Sequence, residues 1–308
     1  SGTNTGTDRH PVVAYATLVR LPNLFTAPPD VILGAALASA GGHGTVSVGG
    51  VAWLVLASVL LYAGGTTLND YGDAEEDGRE RPERPIPSGD VSRTTALAFG
   101  GALLAGGVCV ALFAGGGVAG ATAGALATAV LLYDGVFKGT TAGFLFMGAS
   151  RGLNVLLGIT IAGVSPTELS ARVLAVPAFV TVYIATVTYM AEGETDDAGR
   201  KPVLTAGFGA VTAVVGVVVL LAARAPSATE MGVTAVVLVA FLVWIGRPLR
   251  AAYADPAPDV VGPAVGACVV GLIVLDAAFA AVVSPAWALA VIAFIIPTIG
   301  LSRAFDVT

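Results

Sequence analysis

The sequence predicts an all-α fold, a polytopic transmembrane helical bundle, and three observations predict it. Apolar residues make up 56% of the chain and charged residues only 12%, with a mean hydropathy of +0.85. A soluble domain of this length would carry about 25% charged residues. The apolar residues fall in blocks of roughly 18–22, the length a helix needs to cross a bilayer. Glycine and alanine recur within the blocks, and small residues let membrane helices approach closely. Open strands in lipid would leave backbone polar groups unpaired, so helices are the default.

Taken in order, the candidate spans are 24–40, 50–68, 94–115, 117–136, 144–164, 171–191, 203–223, 230–248, 263–283 and 285–302. The last two meet at Ser284-Pro285, which reads as a tight turn. Residues 1–12 are expected to be a disordered cytoplasmic tail, 13–23 an interfacial helix, and 13–308 a single transmembrane domain. No apolar core in the first 19 residues ends in a small-residue cleavage site, so no cleavable signal peptide is expected.

Orientation follows from lysine and arginine in the connections. Arg9, Arg20, Arg79, Arg81, Arg84, Arg93, Lys138, Arg200, Lys201, Arg247 and Arg250 fall on the side of the N-terminus, and Arg303 joins them if the tenth span is real. The other side has Arg172 and Arg224. This asymmetry predicts a protein of the cytoplasmic membrane, with the N-terminus and the loops after the second, fourth and sixth spans in the cytoplasm. The net charge of -6 gives no reason to expect nucleic-acid binding. Cys109 and Cys268 lie inside apolar blocks and read as small buried hydrophobes. His10 and His43 have no neighbours that suggest catalysis.

The polar chemistry sits at the cytoplasmic ends of spans. After the second span the chain reads Asn69-Asp70-Tyr71-Gly72-Asp73-Ala74-Glu75-Glu76-Asp77. If the helix continues, Asn69, Asp73 and Asp77 stand four apart on one face, with Asp70 close by. Carboxylates so crowded repel one another unless a cation joins them. An all-oxygen set suits a hard ion, Mg²⁺, which takes a few carboxylates and completes its shell with substrate phosphates. A proline-stiffened loop follows, Arg79 to Gly89, and Arg84 within Arg-Pro-Ile-Pro-Ser-Gly is placed to meet phosphate oxygens. After the sixth span a second acidic cluster, Glu192-Gly193-Glu194-Thr195-Asp196-Asp197, precedes Arg200-Lys201. Two acidic clusters closing apolar spans on one side read as two halves of one cavity. After the fourth span comes Tyr133-Asp134-Gly135-Val136-Phe137-Lys138, where Lys138 could neutralise a leaving diphosphate or merely mark the cytoplasmic side. Arg151 and Asn154 lie within the fifth span, and intramembrane polar groups of this kind face a cavity or a partner. Asp30 and Asp276 fall under the same rule without an assigned role.

These residues resemble the UbiA family of intramembrane prenyltransferases. Its first signature, Asn-Asp-x-x-Asp-x-x-x-Asp, stands intact from Asn69 to Asp77, and Arg84 to Gly89 matches the tail that follows it. The second signature, Asp-x-x-x-Asp, appears as Glu192 to Asp196, with Glu192 departing at the first position and Asp197 an alternative ligand. Tyr133 to Lys138 resembles the family's Tyr-x-x-x-x-Lys stretch, and Arg20 to Asn23 resembles its Arg-x-x-Asn stretch. The resemblance implies a bundle usually counted as nine helices, in tension with ten spans. Arg151 to Gly158 with the Arg84 loop is similar to the EboC-like branch, and the Asn-Asp-Tyr start is similar to archaeal geranylgeranylglyceryl phosphate geranylgeranyltransferases; the first branch is the closer-looking one.

The resemblance implies Mg²⁺-dependent transfer of a prenyl group from an isoprenoid diphosphate to a lipophilic or aromatic acceptor within the membrane lipid. Asn69, Asp73, Asp77, Glu192 and Asp196 would hold the metal. Asp70, Asp73, Asp77 and Lys138 would serve catalysis. Arg20, Asn23, Arg84, Tyr133, Arg151, Asn154, Arg200 and Lys201 would bind substrate. The alternative from another class is a membrane transporter with an intramembrane polar site. Against it, the acidic clusters lie at helix ends and no internal repeat is evident.

Overall fold

Helix starts are marked by hydroxyl side chains that accept a backbone N–H the helix itself leaves unpaired. Ser47, Ser92, Thr140, Ser170, Ser227 and Ser284 all do this, and Ser227 forms a reciprocal box with Glu230. The computed structural model describes residues 10–41, 46–163, 170–193 and 199–304. Among them every regular element is helical. His43, Glu194, Thr195, Asp196 and Asp197 lie outside the described residues, as does most of the expected N-terminal tail.

The chain opens with α1 (Pro11–Leu18) and α2 (Leu21–Leu24), and continues into α3 (Pro28–Ala40). At about 1.5 Å per residue, the 13 residues of α3 reach only about 20 Å, short of the roughly 30 Å hydrocarbon layer. It starts inside the protein on Pro28 and Pro29, whose missing N–H groups cost nothing at a helix start. The expected interfacial helix is thus two short helices, and the expected first span is a partial one.

α4 (Val48–Gly72) is long and apolar enough to cross fully and runs almost directly into α5 (Ala74–Glu80). The third and fourth expected spans form one element, α6 (Arg93–Leu132). It doubles back at Gly116, whose φ of 70° is open to glycine and costly for other residues. A Cβ at Gly120 would lie 3.1 Å from that of Leu112, a contact only a reversed chain makes. Both arms pack on α4: Gly64 against the Gly100 carbonyl and Gly65 against Val130. A π-helical turn, Tyr133–Phe137, leads to α7 (Thr141–Ile159). Then come α8 (Ala171–Glu192), α9 (Lys201–Arg224), α10 (Ala228–Ala254) and α11 (Pro258–Ala281). The expected tenth span is broken into α12 (Pro285–Ile292) and α13 (Ile295–Ala304).

By length and apolarity, eight stretches of the described residues could cross a membrane, Arg93–Phe137 being one of them. Counting its two arms separately and adding α3 recovers the ten expected blocks, two of which are not simple spans. The chain is an integral membrane protein. α11 is its axis: Leu272, Leu275 and Phe279 are fully buried, and α3, α8, α10 and α12 pack around it. Phe113, Val236, Leu289 and Ile296 are exposed apolar residues, as on a lipid-facing surface. Cys268 is buried as expected, whereas Cys109 is exposed on α6 and does not belong to the core.

Candidate active site

The last turn of α4 carries Asn69 and Asp70, Asp73 sits at the junction, and Asp77 lies on α5. The Asp73 N–H donates to the Asn69 carbonyl (2.9 Å) and the Asp77 N–H to the Asp73 carbonyl (2.8 Å), so the helical path survives the junction. The four-residue spacing therefore does what it predicts: Asn69, Asp73 and Asp77 line one chamber of about 880 Å³. Glu76, Glu80, Arg81, Arg84, Lys138 and Glu192 line it as well.

Each carboxylate of the first motif faces a cation. Asp70 is buried, 2.9 Å from Arg20 Nη2 and 3.4 Å from Arg84 Nη1. Arg84 Nη1 also stands 2.7 Å from Asp77. Lys138 Nζ is in direct ion-pair contact with Asp73. Such charge-assisted contacts are roughly twice as strong as neutral ones. Arg20 reaches Asp70 from a left-handed backbone (φ 51°), a conformation that costs an L residue roughly 1–2 kcal/mol. Burial works against its charge, but Asp70 outweighs that, and the Arg20 pKa is raised above the ordinary arginine value.

The loop from Arg81 to Val91 delivers Arg84. The Ser88 N–H donates to the Arg84 carbonyl and the Val91 N–H to the Pro85 carbonyl, and Gly89 takes φ 85°. Val91 is buried beside Ala14, Leu18 and Ala96, which fixes the loop to the bundle.

The π turn reaches both acidic motifs. Tyr133 Oη donates to Glu192 Oε1 (3.2 Å), and the Gly139 N–H donates to the same oxygen (3.3 Å). Asp134 Oδ1 accepts from Asn69 Nδ2 at 2.7 Å. Turns of this kind are frequent at functional sites.

A second cavity, of about 240 Å³, abuts the chamber and shares Arg20, Asn69 and Lys138 with it. Its walls are mostly apolar, with Leu61, Tyr62, Leu126, Val130 and Met147. Arg151 and Asn154 line it as well, and both are buried. Arg151 Nη2 donates to the Thr26 carbonyl (2.5 Å), and its Nε stands 3.2 Å from Asp30. Asn154 Nδ2 donates to the Ala27 carbonyl and to Asp30 Oδ2, both at 2.9 Å. The two side chains thereby pin the start of α3.

Three expected substrate-binding residues stand apart from these cavities. Arg200 Nε donates to the Tyr253 carbonyl (2.9 Å), and its guanidinium lies over that ring. Lys201 starts α9 at an exposed position, and the Asn23 side chain lines neither cavity. Sequence reasoning left Asp134 without a role. Its signal was its place beside Tyr133 and four residues before Lys138.

Residues 30–256 match the profile of the UbiA prenyltransferase family. A digeranylgeranylglyceryl phosphate synthase of Ignicoccus hospitalis is 34% identical over 190 residues, 61% of this chain and 60% of that one. The enzyme of the same name from Methanopyrus kandleri is 44% identical over 86 residues, 28% of this chain and 30% of its own. The chain spans between about a third and three fifths of these curated relatives. They belong to the archaeal branch, the second of the two resemblances drawn from sequence. Among solved structures, a UbiA homologue from Archaeoglobus fulgidus bound to GPP and Mg²⁺ superposes with a TM-score of 0.61 at 16% identity, covering 91% of this chain and 99% of that one. A UbiA homologue from Aeropyrum pernix K1 gives 0.60 at 18% identity, covering 83% and 96%. At such identity these structures establish a shared fold. With the family profile matching most of its length, the chain belongs to the UbiA prenyltransferase family.

Proposed function

We propose that the protein transfers a prenyl group from an isoprenoid diphosphate to a lipid acceptor, with Mg²⁺ and with its polar chamber at the cytoplasmic face. The acceptor favoured is a prenylated glyceryl phosphate, because the curated relatives are digeranylgeranylglyceryl phosphate synthases. The observation that carries the reading is the meeting of two unlike cavities at Arg20, Asn69 and Lys138. A polar chamber of carboxylates and cations suits a diphosphate, and the apolar cavity beside it suits hydrocarbon.

The residues present fit the metal. Asn69, Asp73, Asp77 and Glu192 offer only oxygen to a cation, the donor set of a hard ion. Among the described residues no three acidic, histidine or cysteine side chains close on one point. Mg²⁺ takes one or two carboxylates and fills the rest of its shell with water and phosphate, so it does not require such a cluster. When bound, it would neutralise charge on the departing diphosphate.

Arg84 and Lys138 would exchange carboxylate partners for phosphate oxygens as the donor enters, freeing Asp77 and Asp73. Arg20 would stay with Asp70. The allylic C–O bond breaks with its electron pair leaving on diphosphate, where these cations stabilise the new charge. The acceptor oxygen bonds to the freed carbon and its proton passes to water. Glu192, held by Tyr133 and Gly139, adds a carboxylate to the same chamber. The test is diphosphate release by protein in lipid nanodiscs, with C10, C15 and C20 donors and with prenylated glyceryl phosphate or aromatic acceptors. Release that needs Mg²⁺, stops in EDTA and occurs with the glyceryl phosphate is expected. Release only with an aromatic acceptor would overturn the acceptor, and no release with any pair would overturn the activity.

A further inference from the structure

Asn69 is the neutral member of its motif, and what it offers a cation depends on which way its amide faces. An amide presents a hard ion with its oxygen; the NH₂ side carries donors and repels it. Two neighbours set the orientation here. Asp134 Oδ1 lies 2.7 Å from Asn69 Nδ2, and a carboxylate only accepts, so the NH₂ must face it. Arg20 Nη2 lies 3.4 Å from Asn69 Oδ1, and a guanidinium only donates, so the oxygen must face that side. Asp134 lines the apolar cavity but not the polar chamber, whereas Asn69 and Arg20 line both. The amide thus stands across the boundary, with its nitrogen turned to the apolar side.

We propose that Asp134 is a positioning residue: it acts through Asn69, holding the amide oxygen toward the chamber where a cation and the donor's diphosphate meet. This rests on the metal and diphosphate reading above. The place of Asp134 in the chain supports it. Tyr133 bonds to Glu192, Asp134 to Asn69, and Lys138, just past the turn, to Asp73. One π turn therefore holds a side chain of each acidic motif, and a regular helix would set residues 133 and 134 at another angle.

The 3.4 Å contact with Arg20 is the weaker of the two restraints, so removal of Asp134 frees the amide to rotate. Asp134→Ala is then expected to weaken cation binding by about tenfold or more, the usual cost of removing a group that orients a metal ligand. Asp134→Asn keeps an oxygen that can accept from Asn69 but adds an NH₂ that can donate to the flipped amide, so it should fall between wild type and Asp134→Ala. The decisive background is Asn69→Asp. A carboxylate presents oxygen on both sides, so orientation no longer matters; Asp134→Ala there also relieves the repulsion between two facing carboxylates, so it should leave binding unchanged or raise it, never lower it.

The measurement is Mn²⁺ binding followed by electron paramagnetic resonance, on full-length protein in nanodiscs with geranylgeranyl thiolodiphosphate as a donor analogue that resists cleavage. Thermal unfolding of each variant is recorded alongside. Loss in the Asn69 background, with none in the Asn69→Asp background, is the expected pattern. Equal loss in both backgrounds, tracking a fall in melting temperature, would show a structural role only and overturn the proposal. So would an Asp134→Ala protein that binds Mn²⁺ like wild type. Wild-type protein that binds no Mn²⁺ with the analogue would instead overturn the metal reading, and this inference with it.

Discussion

Arg84 Nη1 stands 2.7 Å from Asp77 and 3.4 Å from Asp70, so one guanidinium nitrogen joins two carboxylates seven residues apart in the chain. Asp70 turns inward to Arg20, while Asp77 lines the chamber. Arg84 therefore couples the Arg20 side of the motif to the side that lines the chamber.

That coupling predicts the behaviour of Arg84 variants. Arg84→Ala leaves two largely buried carboxylates short of a cation, and breaking a buried pair costs about 3–5 kcal/mol. The melting temperature should fall, and kcat/KM for the donor should fall by about a hundredfold. Arg84→Lys brings a point charge in place of a planar fork and satisfies one carboxylate, so it should lie between the two. Thermal unfolding and steady-state diphosphate release measure both. A wild-type rate in Arg84→Ala would remove the residue from the site.

Asp73 and Asp77 should separate stability from turnover. Asp73→Ala frees Lys138, whose side chain is 37% exposed and can take water in exchange. Its melting temperature should stay near wild type while diphosphate release drops by at least about a hundredfold. Asp77→Ala leaves Arg84 with Asp70 and should lose a similar factor in rate. Normal transfer by both variants would refute their assignment as ligands.

The acidic face was legible in sequence because a four-residue spacing survives a helix junction, and Asn69, Asp73 and Asp77 share a chamber as that spacing requires. The cation that faces each carboxylate was legible only in kind. The sequence singles out Arg84 among the loop arginines but not its partner: that it folds back to Asp77 depends on the loop's path, with Val91 seated beside Leu18 and Ala96. Apolar blocks were read correctly as helices, but hydropathy does not report length used. Residues 24–40 look like a span, yet α3 begins only at Pro28, inside the protein. Asp134 escaped notice because a π turn redirects it, and local spacing alone does not reveal such a turn. Arg200 was a reasonable phosphate ligand by charge, but the Tyr253 carbonyl and ring hold it elsewhere.

Close packing of α3 on α7 makes a stability prediction. A Cβ on Gly158 would lie 2.1 Å from the Val31 carbonyl oxygen, and backbone cannot move aside as a side chain does. Gly158→Ala should push the helices apart and cost about 1–3 kcal/mol, the range for overpacking. Gly124→Ala is the control, since a Cβ there meets nothing within 4 Å. Thermal unfolding in detergent should show a drop for the first and none for the second.

The polar cluster beneath the apolar cavity gives the last prediction. Arg151 Nε stands 3.2 Å from Asp30, which is fully buried, and Asp276 lies within its electrostatic reach. Arg151→Met removes the cation and leaves the fully buried carboxyl groups of Asp30 and Asp276 without it. Melting temperature should fall sharply, because an uncompensated buried charge costs more than the pair contributes. Asp30→Asn in the same chain removes the carboxylate that Arg151 paired with, and its amide can still bond to Asn154. The double variant should therefore recover at least half of the lost stability, a coupling that a double-mutant cycle measures directly. If Arg151 serves only to hold α3, the double variant should regain activity along with stability. If it also contacts the acceptor from the cavity wall, stability will return while KM for the acceptor stays raised, so unfolding and kinetics on the same pair of proteins separate the two roles.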